Sequence, residues 1–116
     1  MTNEPEIVIE PAVGNWSVRA QGAIIGGTSR ALLLREKGHE PVIYIPREDL
    51  QMVFFDRSEK TSHCPHKGDA TYFHLIGKNR RQADVAWSYE APFDDVAQIA
   101  GHLAFYKDAV TIEAVS

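Results

Sequence analysis

From Thr61 to Tyr72 the chain reads Thr-Ser-His-Cys-Pro-His-Lys-Gly-Asp-Ala-Thr-Tyr. This stretch holds the only cysteine, Cys64, and two of the five histidines, His63 and His66. A thiolate is the reactive form of cysteine, and neighbouring positive charge favours it. His63, His66 and Lys67 are placed to supply that charge. Pro65 biases Cys64 towards extended backbone, which projects it from a turn. Gly68 allows a tight turn, so Lys67 can lean over the same surface as Cys64. In an enzyme, Cys64 would be the nucleophile or redox atom, with Lys67 and Arg47 binding an oxyanion. The plainer alternative is a buried thiol that packs as a small apolar group.

The aromatic residues with polar tips are a second candidate set: Tyr44, Tyr72, Trp87, Tyr89 and Tyr106. Such rings line many ligand pockets. Phe54, Phe55, Phe73 and Phe105 read as core. The expected ligand-binding residues are Tyr44, Arg47, Asp49, His66, Trp87, Tyr89 and Tyr106. For Arg47 and Lys67 a structural ion pair is the competing role, for instance Arg47 with Asp69 or Glu90. A metal site is not expected. Structural zinc calls for paired cysteines or a Cys-pair with a His-pair, and this chain has a single cysteine. No cofactor is called for either. His39 and His102 read as ordinary surface or turn histidines.

The elements that must position these residues are mostly strands. Ile7 to Ile9 is a short strand stopped by Pro11. Residues 16–21 alternate, Gly22 breaks the run, and residues 23–25 return it as a hairpin. Gly26-Gly27-Thr28-Ser29 reads as a turn. Residues 30–37 are open to a helix capped by Ser29 and Gly38, but two paired strands with residues 41–45 are preferred. Pro46, then Glu48 and Asp49, then Leu50, Val53 and Phe54 at helical spacing predict a helix over 46–56. The Cys64 stretch would then be a loop leading into a strand over 70–76, with Ala70, Tyr72, His74 and Ile76 on one face. Val85, Trp87 and Tyr89 share a face of the next strand. Asp94 caps a short helix closed by Gly101, and two last strands flank a turn at Lys107-Asp108. The sum is a mainly β domain: a single compact antiparallel unit over 7–116 with one or two short helices, after a flexible start over 1–6.

At 116 residues and 44% hydrophobic the chain is one domain able to form a core without staples. One cysteine precludes an intrachain disulfide, and no basic start followed by an apolar run marks a secretory signal, so a cytoplasmic setting is expected. No apolar run approaches the roughly 20 residues that span a bilayer, so no membrane partner is expected. The net charge of −4 and the lone basic cluster at 78–81, which reads as a solvated turn, argue against nucleic acid. A small molecule is the expected partner, and a homodimer is allowed.

Four ordered motifs carry a family resemblance: Tyr44-Ile45-Pro46-Arg47-Glu48-Asp49; Thr61-x-x-Cys64-Pro65-x-Lys67-Gly68-x-Ala70-x-Tyr72; Ala86-Trp87-Ser88-Tyr89-x-x-Pro92; and Ile99-Ala100-Gly101-x-x-Ala104-Phe105-Tyr106. Over 16–112 the chain resembles the domain of unknown function 427 family, sometimes labelled nucleotidyltransferase-like. The resemblance implies a compact β-rich domain, akin to the folded-sheet tent domains, and brings no settled reaction. His66 stands where relatives often carry an aromatic, and Gly26-Gly27 where an acid is usual. Nucleotidyl transfer would need a carboxylate pair to hold Mg²⁺ on a triphosphate. No Asp-x-Asp follows Gly26-Gly27; Glu36 and Glu40 are the nearest acids. The adjacent pairs Glu48-Asp49 and Asp94-Asp95 point apart on a helix. The label finds no support in these residues.

Two functions follow as expectations. The first is a pocket formed by the turn at 46–49, the loop at 64–68 and the strand end at 87–92. It would bind a small, partly apolar ligand that is anionic or carbonyl-bearing, with room for cysteine chemistry. The second is a non-catalytic reader whose Trp87 and tyrosines cage a partner's side chain. A pocket-facing Cys64 favours the first.

Overall fold

The computed structural model describes residues 6–78 and 80–115. Of the flexible start expected over 1–6, all but Glu6 lies outside the described residues. The described residues form ten strands: β1 (Ile7–Pro11), β2 (Trp16–Ala20), β3 (Ala23–Thr28), β4 (Leu32–Glu36), β5 (Val42–Pro46), β6 (Phe55–Cys64), β7 (Gly68–Ile76), β8 (Arg81–Ser88), β9 (His102–Phe105) and β10 (Thr111–Ala114). Seven of them make one antiparallel sheet in the order β1-β4-β5-β9-β8-β7-β6, and three make a second, β10-β2-β3. The preferred pairing of residues 30–37 with 41–45 is therefore correct: Leu32 faces Tyr44 and Leu34 faces Val42.

Strand alternation divides the large sheet into two faces. Leu33, Ile43, Ile45, Phe73, Leu75, Leu103 and Phe105 point one way and pack with Val18, Ile25 and Val110 of the small-sheet side. Leu32, Leu34, Val42, Tyr44, Tyr72 and Trp87 belong to a second cluster with Val96 and Ile99, which come from a 3₁₀ segment at Asp94–Ile99. Full burial of Ile45 and Leu103 stabilises the fold by roughly 2–3 kcal/mol each.

Three expectations need correction. The helix expected over 46–56 is two separate 3₁₀ turns, Arg47–Asp49 and Met52–Phe54. Leu50 between them is extended and bridges to Gly26, and the Gln51 N–H is taken by the Ile25 carbonyl. Pairing to β3 takes the Gln51 donor that a continuous helix would have used. The loop before Cys64 is a long edge strand, β6. It shows no apolar alternation because only Phe55 and Ser58 are buried along it. Its pairing with β7 is interrupted between Arg57 and Thr61, a charged and bulged edge of the kind that resists further strand addition. Finally, Gly26-Gly27 is not a turn but the middle of β3, opposite Val18 and Ser17. A Cβ on Gly26 would lie 2.8 Å from the Asp49 carbonyl oxygen and from Leu50 Cδ2, so glycine serves close backbone packing there.

Candidate functional site

Cys64 ends β6 and pairs with Gly68, the first residue of β7. The turn between them is closed by Lys67 N–H donating to the Cys64 carbonyl at 3.2 Å. Gly68 sits at φ +111°, a backbone setting open to glycine. The Lys67 carbonyl accepts from Phe93 N–H at 3.0 Å, which pins the turn to the segment after β8. Lys67 is thereby aimed inward, and as a residue it is only 8% exposed.

Its partner is Glu36, the last residue of β4, with Nζ 2.7 Å from Oε1. In sheet order β4 lies four to five strands from the β6–β7 turn. On a flat sheet, at about 4.8 Å per strand, these residues would be some 20 Å apart. The sheet must therefore curl until its two ends meet, and the ion pair joins them. Both side chains are largely buried. A buried pair is costly to desolvate and is weak evidence of a purely stabilising role.

Inside the curl is a cleft of about 860 Å³. Its walls include Tyr44, Tyr72, Trp87, Tyr89 and Tyr106, which are all four tyrosines of the chain and one of its two tryptophans. Phe55, Phe73 and Phe105 belong to the opposite core. One face of the sheet is sealed with phenyl rings, and the other presents phenols. Tyr72 and Trp87 are cross-strand neighbours on β7 and β8, and Trp87 packs against Tyr106 at 4.8 Å between centroids. The Tyr72 and Ser62 hydroxyls share a 2.9 Å hydrogen bond. Burial pushes the Tyr44 hydroxyl up to about 12, partly offset by the Trp87 indole and reinforced by Glu36. Burial also raises Tyr89, with Tyr44, Cys64 and Tyr72 adding to it, and raises Tyr106, with Tyr72 adding to it. At neutral pH all three phenols keep their protons and can donate hydrogen bonds. Two ring faces are already occupied by the protein's own ammonium groups: Lys67 Nζ lies 5.7 Å from the Tyr89 centroid and Lys60 Nζ 4.5 Å from that of Tyr72.

Of the expected site residues, Cys64, Lys67, Tyr44, His66, Trp87, Tyr89 and Tyr106 line this cleft. Cys64 is half-buried on its wall and His66 is exposed at its rim. Arg47 and Asp49 do not line it, and the turn at 46–49 forms no part of it. Arg47 Nη1 is 3.2 Å from Glu90, and its guanidinium lies over Phe73, on the other face of the sheet. Its Nε and Nη2 are buried with no partner among the described residues, away from the cleft. Asp49 accepts from Thr28 Oγ1 at 2.6 Å and from Arg30 at 3.1 Å. Those two bonds, Thr28 first, hold its carboxyl below the usual range. His63 likewise has a partner, Asp69 Oδ1 at 2.7 Å. Glu36, Glu40 and His39 are cleft residues that the sequence reading did not choose. Glu36 carried no sequence signal, because its link to Lys67 depends on the curl. Tyr72, one of the polar-tipped aromatics but not among the expected ligand-binding residues, also lines the cleft.

Among the described residues no grouping of three or more His, Cys, Asp or Glu side chains could hold a metal ion. Among the described residues no helix is long and apolar enough to cross a membrane. In comparison with known proteins, no curated protein matches the chain. The model of the family described as a domain of unknown function, DUF427, matches residues 8–116.

Proposed function

The chain belongs to the DUF427 family, which brings no reaction with it, and we propose from the cleft's own geometry that it binds a small organic ligand. The ligand is partly apolar and carries a carboxylate or a carbonyl. The observation that carries this reading is the gathering of every tyrosine in the chain around one buried lysine. Phenols raised by burial are donors, and the Lys67 ammonium has three protons, of which Glu36 takes one. Such a lining suits acceptor oxygens, while the rings supply apolar contact. An aromatic cage for a cation is the poorer fit, because Lys67 and Lys60 already lie over two of the rings.

Cysteine-dependent chemistry is a second reading, favoured by the position of Cys64 on the cleft wall. Ligand-dependent protection of Cys64 from a thiol probe would support it. The binding reading is tested by titrating isotope-labelled protein with small carboxylates, ketones and amides, and in parallel with quaternary ammonium compounds. Acceptor-bearing fragments should shift the amides of Cys64, His66, Lys67, Gly68 and Trp87. If only the ammonium compounds shift them, the cage reading replaces this one. If nothing shifts them, the cleft is not a ligand site.

A further inference from the structure

A second cavity, of about 680 Å³, opens on the other side of the large sheet. It lies between the β2–β3 hairpin and the β7–β8 hairpin. Ala20, Ala23, Ile25, Phe54, Leu75 and Ile76 make its walls. Its volume falls within the range of small-ligand sites, roughly 300–1,000 Å³. Two features distinguish it from a packing gap. The first is charge: Lys78 and Arg80 stand at the β7–β8 turn beside a chamber that, apart from Gln21, has apolar side chains. Neither appears in an ion pair among the described residues. The second is a bolt across the two hairpins. Gln21, at φ +50°, donates from Nε2 to Gln82 Oε1 at 2.8 Å and to the Arg80 carbonyl at 3.3 Å. A Cβ on Gly77 would collide with the Gln21 amide, so glycine there leaves the path for this side chain. The rim of the chamber is thus held at a set width by side-chain hydrogen bonds. Ile24 and Val53, whose chain neighbours Ala23, Ile25 and Phe54 line the chamber, are 57% and 83% exposed.

We propose that this cavity is a second binding site, for the single chain of an aliphatic carboxylate. The hydrocarbon occupies the chamber, and the head meets Lys78 and Arg80. An apolar interior with cations at one rim matches an amphiphile whose head is an anion, and mismatches a neutral or cationic head. The occupant is not the ligand of the tyrosine cleft: that site is lined by phenols and lies on the opposite face of the sheet.

The test is a titration of the isotope-labelled full chain with hexanoate, octanoate and decanoate below their aggregation limits. Decanol and decyltrimethylammonium serve as head-group controls. The expected result is saturable shifts at Ala23, Ile25 and Gly77, with affinity rising up to about fourfold per added methylene. Decanol and the ammonium should bind at least about tenfold more weakly. The variant Lys78→Glu/Arg80→Glu should lose that discrimination while keeping the dependence on chain length. Ala23→Trp fills the chamber from an exposed position and should lose binding altogether; its own amide spectrum verifies folding. Equal binding of all three heads overturns the proposal. So do shifts confined to residues 64–68, an absence of shifts, or dimerisation through this face in place of saturable binding. Failure here leaves the tyrosine cleft's reading intact, because the two sites report on different amides.

Discussion

The Lys67–Glu36 pair is where the residue scale matters most. A surface pair contributes about 0–1 kcal/mol, but this one is largely buried. Lys67→Ala should therefore destabilise the protein by about 3 kcal/mol, because it strands the Glu36 carboxylate in the curl. The double variant Lys67→Met/Glu36→Gln should recover much of that loss, as a double-mutant cycle in denaturant would show. Additive losses would mean that the two side chains do not interact. The tyrosines offer a second test at this scale. The Tyr44 hydroxyl is raised to about 12, from an ordinary value near 10. The folded state therefore holds this proton more tightly than the unfolded state does. That contribution to stability is complete below about pH 10 and is lost as the pH climbs through about 12. Tyrosinate absorbance should lag the titration of free tyrosine in the native protein, and Tyr44→Phe should remove one of the delayed steps while the more strongly raised Tyr89 keeps its own. A native titration centred at the ordinary value would contradict the burial described for the cleft.

At the element scale, two glycines and one acid set the geometry. Gly68→Ala places a Cβ at φ +111° in the turn that aims Lys67, and should cost about 1–3 kcal/mol and disturb the cleft amides. Gly26→Ala must push β3 away from Leu50, and should cost more, because its nearest obstacle is backbone. Thermal melts of the two variants give the ranking; the reverse order would mean that turn strain outweighs the close contact. Glu90 joins two elements, taking Arg57 at 2.7 Å and Arg47 at 3.2 Å. Its carboxyl is held below the usual range, chiefly by the Arg57 hydrogen bond. A depressed carboxyl stabilises the fold above the ordinary range, and the gain is lost as the pH falls through the depressed value. Melting profiles through the acid range should thus be flatter for Glu90→Gln than for the parent. Parallel profiles would remove Glu90 from the account of acid sensitivity.

For the whole molecule, the large sheet is shared by both cores. Leu103 and Ala104 are adjacent on β9, yet one belongs to the phenylalanine side and the other to the tyrosine side. Neither face can melt while the other stays folded. Leu103→Ala should cost about 2–5 kcal/mol. It should lower the midpoint reported by Trp16, packed on one side, and by Trp87, on the other, by the same amount. Single-tryptophan variants followed in denaturant would reveal any separation of the two transitions.

Much of the strand pattern was legible locally. Alternation, glycine breaks and prolines placed β2, β3, β5, β7 and β8, and the class of the fold, because those signals act between near neighbours. The residue types also marked Cys64, Lys67, Trp87 and the tyrosines as candidates. Helical spacing at Leu50, Val53 and Phe54 misled, since Leu50 bridges to β3 and the Gln51 donor that would have continued a helix is bound there. β6 stayed hidden because an exposed edge strand has no apolar face to show. Only tertiary structure could separate Lys67 from Arg47. Both are cations beside candidate motifs, but opposite faces of one curled sheet receive them, Lys67 with Glu36 and Arg47 with Glu90. Lys67 and Glu36 are 31 residues apart, and no local rule brings them together. The curl does, and curl is the accumulated twist of a whole sheet, a quantity that no single stretch of sequence carries.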